Sequence, residues 1–266
     1  MPVRGLLASP LGFLVGLSLG ALGGGGSILA VPALVYGAGQ RPREATASSL
    51  LLVGVAAVVG LRPHLRAGRV RVTTGVAFGT TGIPGSLAGT AVNHRLDADL
   101  LLLGFSALMA IAAWRMLTGC PTCTNVGEAD ALRGGGISVA TKLAPARLLA
   151  VGAAGLAVGF LTGLFGVGGG FVIVPALTLL LGLNMPTAIG TSLVVIAINS
   201  AVGLAARLGT ATIEWTVTLP FAAAAIVGVL TGGQLAGRLD PRRSLRWFAT
   251  LLVAVAAYTA IDALTG

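Results

Sequence analysis

The sequence predicts an all-α, polytopic integral membrane protein made of two homologous repeats of inverted topology. About eight membrane segments are expected, with a glycine-broken first segment in each half. Three observations carry this reading. Only 9% of the 266 residues are charged and 55% are hydrophobic, whereas a soluble domain carries about 25% charged residues. Apolar windows of roughly 17 to 25 residues recur, each long enough to cross a hydrocarbon core of about 30 Å. The second half also repeats the first at one constant offset.

The windows run Leu6–Leu22, Ala45–Leu61, Val72–Val92, Ala98–Leu117, Leu148–Phe165, Thr187–Leu204, Val217–Leu235 and Leu245–Leu264. Shorter apolar pieces, Ser27–Tyr36 and Phe171–Leu181, follow the first and fifth. Arg4 before an apolar run resembles a signal peptide. The recurrence of that segment inside the chain argues against its cleavage.

The offset of 143 residues that carries Val31-Pro32-Ala33-Leu34 onto Val174-Pro175-Ala176-Leu177 persists without a gap for about a hundred residues. It pairs Gly16 with Gly159, Gly20 with Gly163, Ser49-Leu50 with Ser192-Leu193, and Val59-Gly60-Leu61 with Val202-Gly203-Leu204. Arg95-Leu96-Asp97 falls on Arg238-Leu239-Asp240. The expected organisation is a first membrane repeat over residues 1–117, a polar linker over 118–147 and a second repeat over 148–266.

The net charge of +9 lies in short loops between spans, where it orients helices and does not call for a nucleic acid partner. Between the second and third segments, half one carries Arg62, Arg66, Arg69 and Arg71, while half two carries Arg207. Between the third and fourth the pattern reverses, with Arg95 against Arg238, Arg242, Arg243 and Arg246. If each glycine-broken segment returns to its starting side, 12 of the 17 basic residues fall on one face of the membrane. The other five are Arg4, Arg41, Arg43, Arg95 and Arg207. A single crossing by each broken segment gives a weaker split of ten to seven. The inverted, hairpin arrangement obeys the positive-inside rule better.

The glycines sit in "GALGGGGSILAVPAL" (Gly20 to Leu34) and "GLFGVGGGFVIVPAL" (Gly163 to Leu177). Glycine inside a helix costs about 1 kcal/mol relative to alanine. Glycines spaced by three or four, such as Gly16, Gly20, Gly159 and Gly163, fit close helix packing. Adjacent glycines are not needed for packing. They suit a break inside the bilayer, tolerated where protein or a water-filled cavity satisfies the freed backbone. A short helix beginning near Ser27 or Phe171 would present unpaired N–H groups, which favour an anion. Gly24, Gly25, Gly26, Ser27, Gly168, Gly169 and Gly170 are therefore candidate substrate-binding residues. On this reading Gly169→Val blocks the ligand, and Gly159→Ala, on the packing stripe, does less harm.

The following segments contribute Ser48, Ser49, Thr191 and Ser192 at matched places, and Asn199 two turns deeper. Hydroxyls and an amide are neutral donors for an anion inside lipid; capping or back-bonding to helix carbonyls is the alternative for the hydroxyls. An amide at the depth of Asn199 usually faces the bundle interior. Glu44 and Glu214 stand at helix starts, where they complement the dipole. No titratable residue lies clearly in mid-span, so a carboxylate proton relay is not visible. Cys120 and Cys123 form a C-x-x-C in the linker, a pattern read as a redox pair, half of a zinc site, or a pair without essential chemistry.

The repeated glycine break followed by V-P-A-L, with A-x-G-T-S-L at Ala188–Leu193, resembles the TauE/SafE, or sulfite exporter, family of membrane transporters. The likeness covers nearly the whole chain outside the linker. The first half departs from it, with Ala47-Ser48-Ser49-Leu50 in place of G-T-S-L. The resemblance implies a secondary transporter, not an enzyme, in the cell (inner) membrane. It implies export of small sulfur-containing or organic anions, such as sulfite or sulfonates, with no cofactor and no metal. The alternatives are a membrane-embedded thiol oxidoreductase using Cys120 and Cys123, and a passive anion channel. Nothing in the sequence specifies an oligomeric state or a coupling ion.

Overall fold

A computed structural model describes residues 2–40, 42–93, 98–118, 145–165, 170–205 and 213–238, with helical residues again within 246–257. Every regular element among them is helical. In chain order these are α1 (Pro2–Leu22), a 3₁₀ turn (Gly23–Gly26), α2 (Ser27–Pro32) and a π turn (Ala33–Gly37). There follow α3 (Pro42–Arg66), α4 (Val72–Asn93), α5 (Ala98–Thr118), α6 (Pro145–Phe165), α7 (Gly170–Leu179), α8 (Met185–Ala205) and α9 (Trp215–Arg238). The Thr118–Ala146 linker with Cys120 and Cys123 lies almost wholly outside the described residues.

Three helices are long and apolar enough to cross a membrane among the described residues: Glu44–Arg66, Met185–Ala205 and Trp215–Leu235. Ser9–Leu22 and Leu149–Leu164 are shorter apolar helices. Many large apolar side chains point outward, including Leu87 at 70%, Leu149 at 75% and Trp247 at 70% exposed. Such a surface suits lipid and not water.

Small residues decide which helices pair, because only a missing side chain lets two backbones approach this closely. Gly12, Gly16 and Gly20 of α1 face the carbonyls of Phe221, Ala225 and Val229 of α9. Gly155, Gly159 and Gly163 of α6 face those of Phe78, Gly82 and Ser86 of α4. Adding 143 to each number in the second set of α4 residues yields the α9 residues of the first, so the two interfaces are equivalent. In both, residue numbers rise together, so α1 runs parallel to α9 and α4 parallel to α6.

Between α3 and α8 the order is opposite. Gly60 meets Leu193, Gly54 meets Ser200 and Leu50 meets Gly203, so these matched helices are antiparallel. Gly60 and His64 of α3 lie beside Val229 and Gly233 of α9, which makes α3 parallel to α9 and hence to α1. The chain between α1 and α3 therefore turns back on itself. His64, buried near the end of α3, has its Nδ1 3.0 Å from the Gly60 carbonyl. That contact makes Nδ1–H the donor, a structural role for this histidine.

Gly159→Ala is not a mild substitution in this geometry; Gly169, with which the sequence compares it, lies outside the described residues. A Cβ on Gly159 would overlap the main chain of Gly82. The backbone there cannot yield as a side-chain tip would.

Candidate functional site

Two glycine segments come together where α1 ends. Gly23 adopts φ +67, a left-handed conformation that costs an L-residue roughly 1–2 kcal/mol. This turns the chain out of α1 into the 3₁₀ turn. Gly24 then lies against the Gly170 carbonyl, where even a Cβ would collide. From the other side, a Cβ on Gly170 would stand 2.9 Å from the Gly24 oxygen and would overlap Ser27 Oγ. The start of α2 and the start of α7 thus meet backbone to backbone, and in this conformation no ligand fits between them.

Hydroxyls complete this junction. Ser27 Oγ donates to the Gly24 carbonyl at 2.7 Å, and the Ser27 N–H also bonds to that oxygen. Ser192 of α8, fully buried, is beside Gly23: a Cβ built there would be 2.7 Å from Ser192 Oγ. Ser192 Oγ itself donates to the Ile189 carbonyl at 2.8 Å. A rotation about one side-chain bond frees it for another acceptor.

Of the residues picked from the sequence, the structure joins Gly24, Gly26, Ser27, Gly170 and Ser192 in this neighbourhood. A Cβ on Gly26 would overlap the Leu19 main chain, so this glycine packs back on α1. Gly25 lies in the same turn, and Gly168 and Gly169 lie outside the described residues. The rest point elsewhere. Ser48 Oγ pairs with Thr218 Oγ1 of α9 at 3.0 Å. Thr191 Oγ1 accepts the Arg71 N–H at 3.1 Å, tying α8 to the start of α4. Ser49 Oγ donates to the Thr46 carbonyl at 2.8 Å. Asn199 is half-buried, seven residues beyond Ser192 on α8, or about 10 Å along the axis.

Sequence reading passed over Gln40 and Thr218, both buried at 3% and 0% exposure. A lone amide between apolar pieces and a single hydroxyl on an apolar helix carry no distinguishing signal in the sequence. Only their burial distinguishes them. Among the described residues no three His, Cys, Asp or Glu side chains gather as a metal site would require.

Comparison with known proteins agrees with the helical, lipid-suited architecture. The family model described as "Sulfite exporter TauE/SafE" matches residues 8–259. A probable membrane transporter protein of Xylella fastidiosa (strain Temecula1) is 36% identical over 255 residues, covering 93% of this chain and 91% of the relative. The probable membrane transporter protein YunE of Bacillus subtilis is 26% identical over 247 residues, covering 90% and 86%. No solved structure matches the chain significantly. The chain belongs to the TauE/SafE sulfite exporter family, a family of membrane transporters and not of enzymes.

Proposed function

We propose that the protein is a secondary transporter of small sulfur-containing or organic anions, such as sulfite or sulfonates. It works as an exporter, spanning the cell (inner) membrane many times. The observation that carries this reading is the meeting of the two glycine segments at Gly24 and Gly170. Glycine leaves the main chain bare, so an anion reaches N–H groups directly once the segments part. Ser27 and Ser192 supply hydroxyls beside them. The closed contact is one end state of an alternating-access cycle, and separation of the segments opens the other.

Flux into proteoliposomes, measured with a panel of sulfur oxyanions and carboxylates, tests the function. Uptake against a gradient supports a carrier, and equilibration alone would favour a passive channel. The Cys120→Ser/Cys123→Ser double variant is expected to move anions at the wild-type rate. Loss of flux in that variant would favour thiol chemistry instead.

The two halves, 1–117 and 148–266, are inverted repeats around the linker at 118–147. The antiparallel packing of α3 on α8 supports this, because matched helices run oppositely only about an axis lying in the membrane plane. The parallel course of α1 and α3 supports a broken segment that returns to its starting side. The loops Arg62–Arg71 and Arg238–Arg246 are then both cytoplasmic. Single cysteines in each loop should resist an impermeant thiol reagent in intact cells and react after lysis. External labelling of one loop alone contradicts the inversion.

A further inference from the structure

Outside the glycine junction, one buried polar cluster joins the end of the first hairpin to α3 and α9. Gln40 Nε2 donates to Thr218 Oγ1 at 3.5 Å, and Thr218 Oγ1 is 3.0 Å from Ser48 Oγ. The Thr218 hydroxyl donates its one proton to the Glu214 carbonyl at 2.8 Å and accepts from Ser48 and Gln40. Gln40 Oε1 is buried and has no hydrogen-bond partner among the described residues. Exchanging the amide oxygen and nitrogen orphans the other atom, so either assignment leaves half of the amide unsatisfied. A buried polar atom without a partner is costly and calls for an explanation.

The other half shows that the fold does not require this glutamine. Its counterpart at the 143-residue offset is Leu183. The main chain is the same in both places: the Gln40 N–H bonds to the Leu34 carbonyl at 3.0 Å, and the Leu183 N–H to the Leu177 carbonyl at 3.0 Å. Leu183 is buried at 5% exposure, so an apolar side chain fills the equivalent space. Thr218 likewise matches Gly75. The polar cluster is present on one side only.

We propose that Gln40, Ser48 and Thr218, with the Glu214 main-chain oxygen, form a binding site for a small hard monovalent cation of the sodium type. With the Gln40 amide turned so that Oε1 replaces Nε2 beside Thr218, the donor set is made of neutral oxygens, which hard cations prefer. Gln40 also follows the C-terminal end of the Ser27–Gly37 helical run, where Gly39 turns the chain at φ +68. Such an end carries partial negative charge, and the ends of interrupted helices hold coupling cations in several transporter folds. A cation bound there gives the Gln40 carbonyl a partner in that orientation and holds the hairpin to α9. A coupling role for it rests on the transport reading above; binding itself does not.

Thermal unfolding of the purified full chain in detergent tests the site. Sodium chloride is titrated against choline chloride at constant chloride and ionic strength. The wild-type midpoint should rise saturably with sodium, and Gln40→Leu, which copies the other half, should bind at least about tenfold more weakly. Thr218→Val provides a second variant should Gln40→Leu fail to fold. A flat wild-type response, or an unchanged response in both variants, overturns the site. A sulfite titration in choline chloride reads the anion site separately, so an intact sulfite response beside a flat sodium response sinks the cation site alone.

Discussion

Gly24→Ala is expected to reduce anion flux to background while leaving a folded, monodisperse protein. The added methyl falls on the Gly170 carbonyl, which belongs to the main chain of α7 and has no rotamer to escape into. Overpacking of this kind costs about 1–3 kcal/mol, a factor of roughly 5 to 150 in the population of a state. That cost lies on the closed junction, so it biases the carrier away from one end of its cycle. It should appear as lost turnover more than as lost fold. Gly23→Ala should follow the same direction, because it pairs the left-handed φ of +67 with a Cβ 2.7 Å from Ser192 Oγ. Counterflow in proteoliposomes, read beside size-exclusion profiles, separates these effects. Wild-type flux in Gly24→Ala would remove the glycine junction as the transport site.

Gly159→Ala is expected to destabilise the protein, by about 1–3 kcal/mol from overpacking. Gly152→Ala, on the same helix, should be neutral or slightly stabilising. The Cβ of the first overlaps the main chain of Gly82. That of the second meets only Thr81 Cγ2 at 3.7 Å, an ordinary contact. The second also gains up to about 1 kcal/mol of helix propensity. Thermal unfolding of the two variants in one detergent compares them directly. Equal midpoints would show that α4 and α6 are not held by this backbone contact.

Much of the architecture was legible because lipid is a demanding solvent. A chain that is 9% charged, with apolar windows at regular intervals, has helices as its natural solution, and helices occupy the described parts of those windows. The constant offset was legible too, since it is a property of the letters alone. So was the close-packing role of Gly16, Gly20, Gly159 and Gly163, whose spacing forms a stripe. Which helix each stripe touches was not. A stripe of small residues states that some backbone comes near, and carries no address for it. That α1 packs on α9, and α6 on α4, is settled by how both halves fit at once.

The candidate site divides along the same line. Ser48 and Ser49, like Thr191 and Ser192, are neighbours in sequence, and successive helical residues point about 100° apart. The sequence alone placed all four hydroxyls near the helix starts, at equal standing. Tertiary packing turned Ser192 toward Gly23 and spent Ser48 and Thr191 on contacts with Thr218 and Arg71. Gln40 went unnoticed because a lone amide between apolar pieces looks like a loop residue. Its burial arises only when α9 closes over the end of the hairpin. By itself, then, the sequence determined the solvent, the helices, the constant offset and the family. The tertiary structure decided which polar groups face one another, because helix rotation and partner choice depend on packing contacts far apart in the chain.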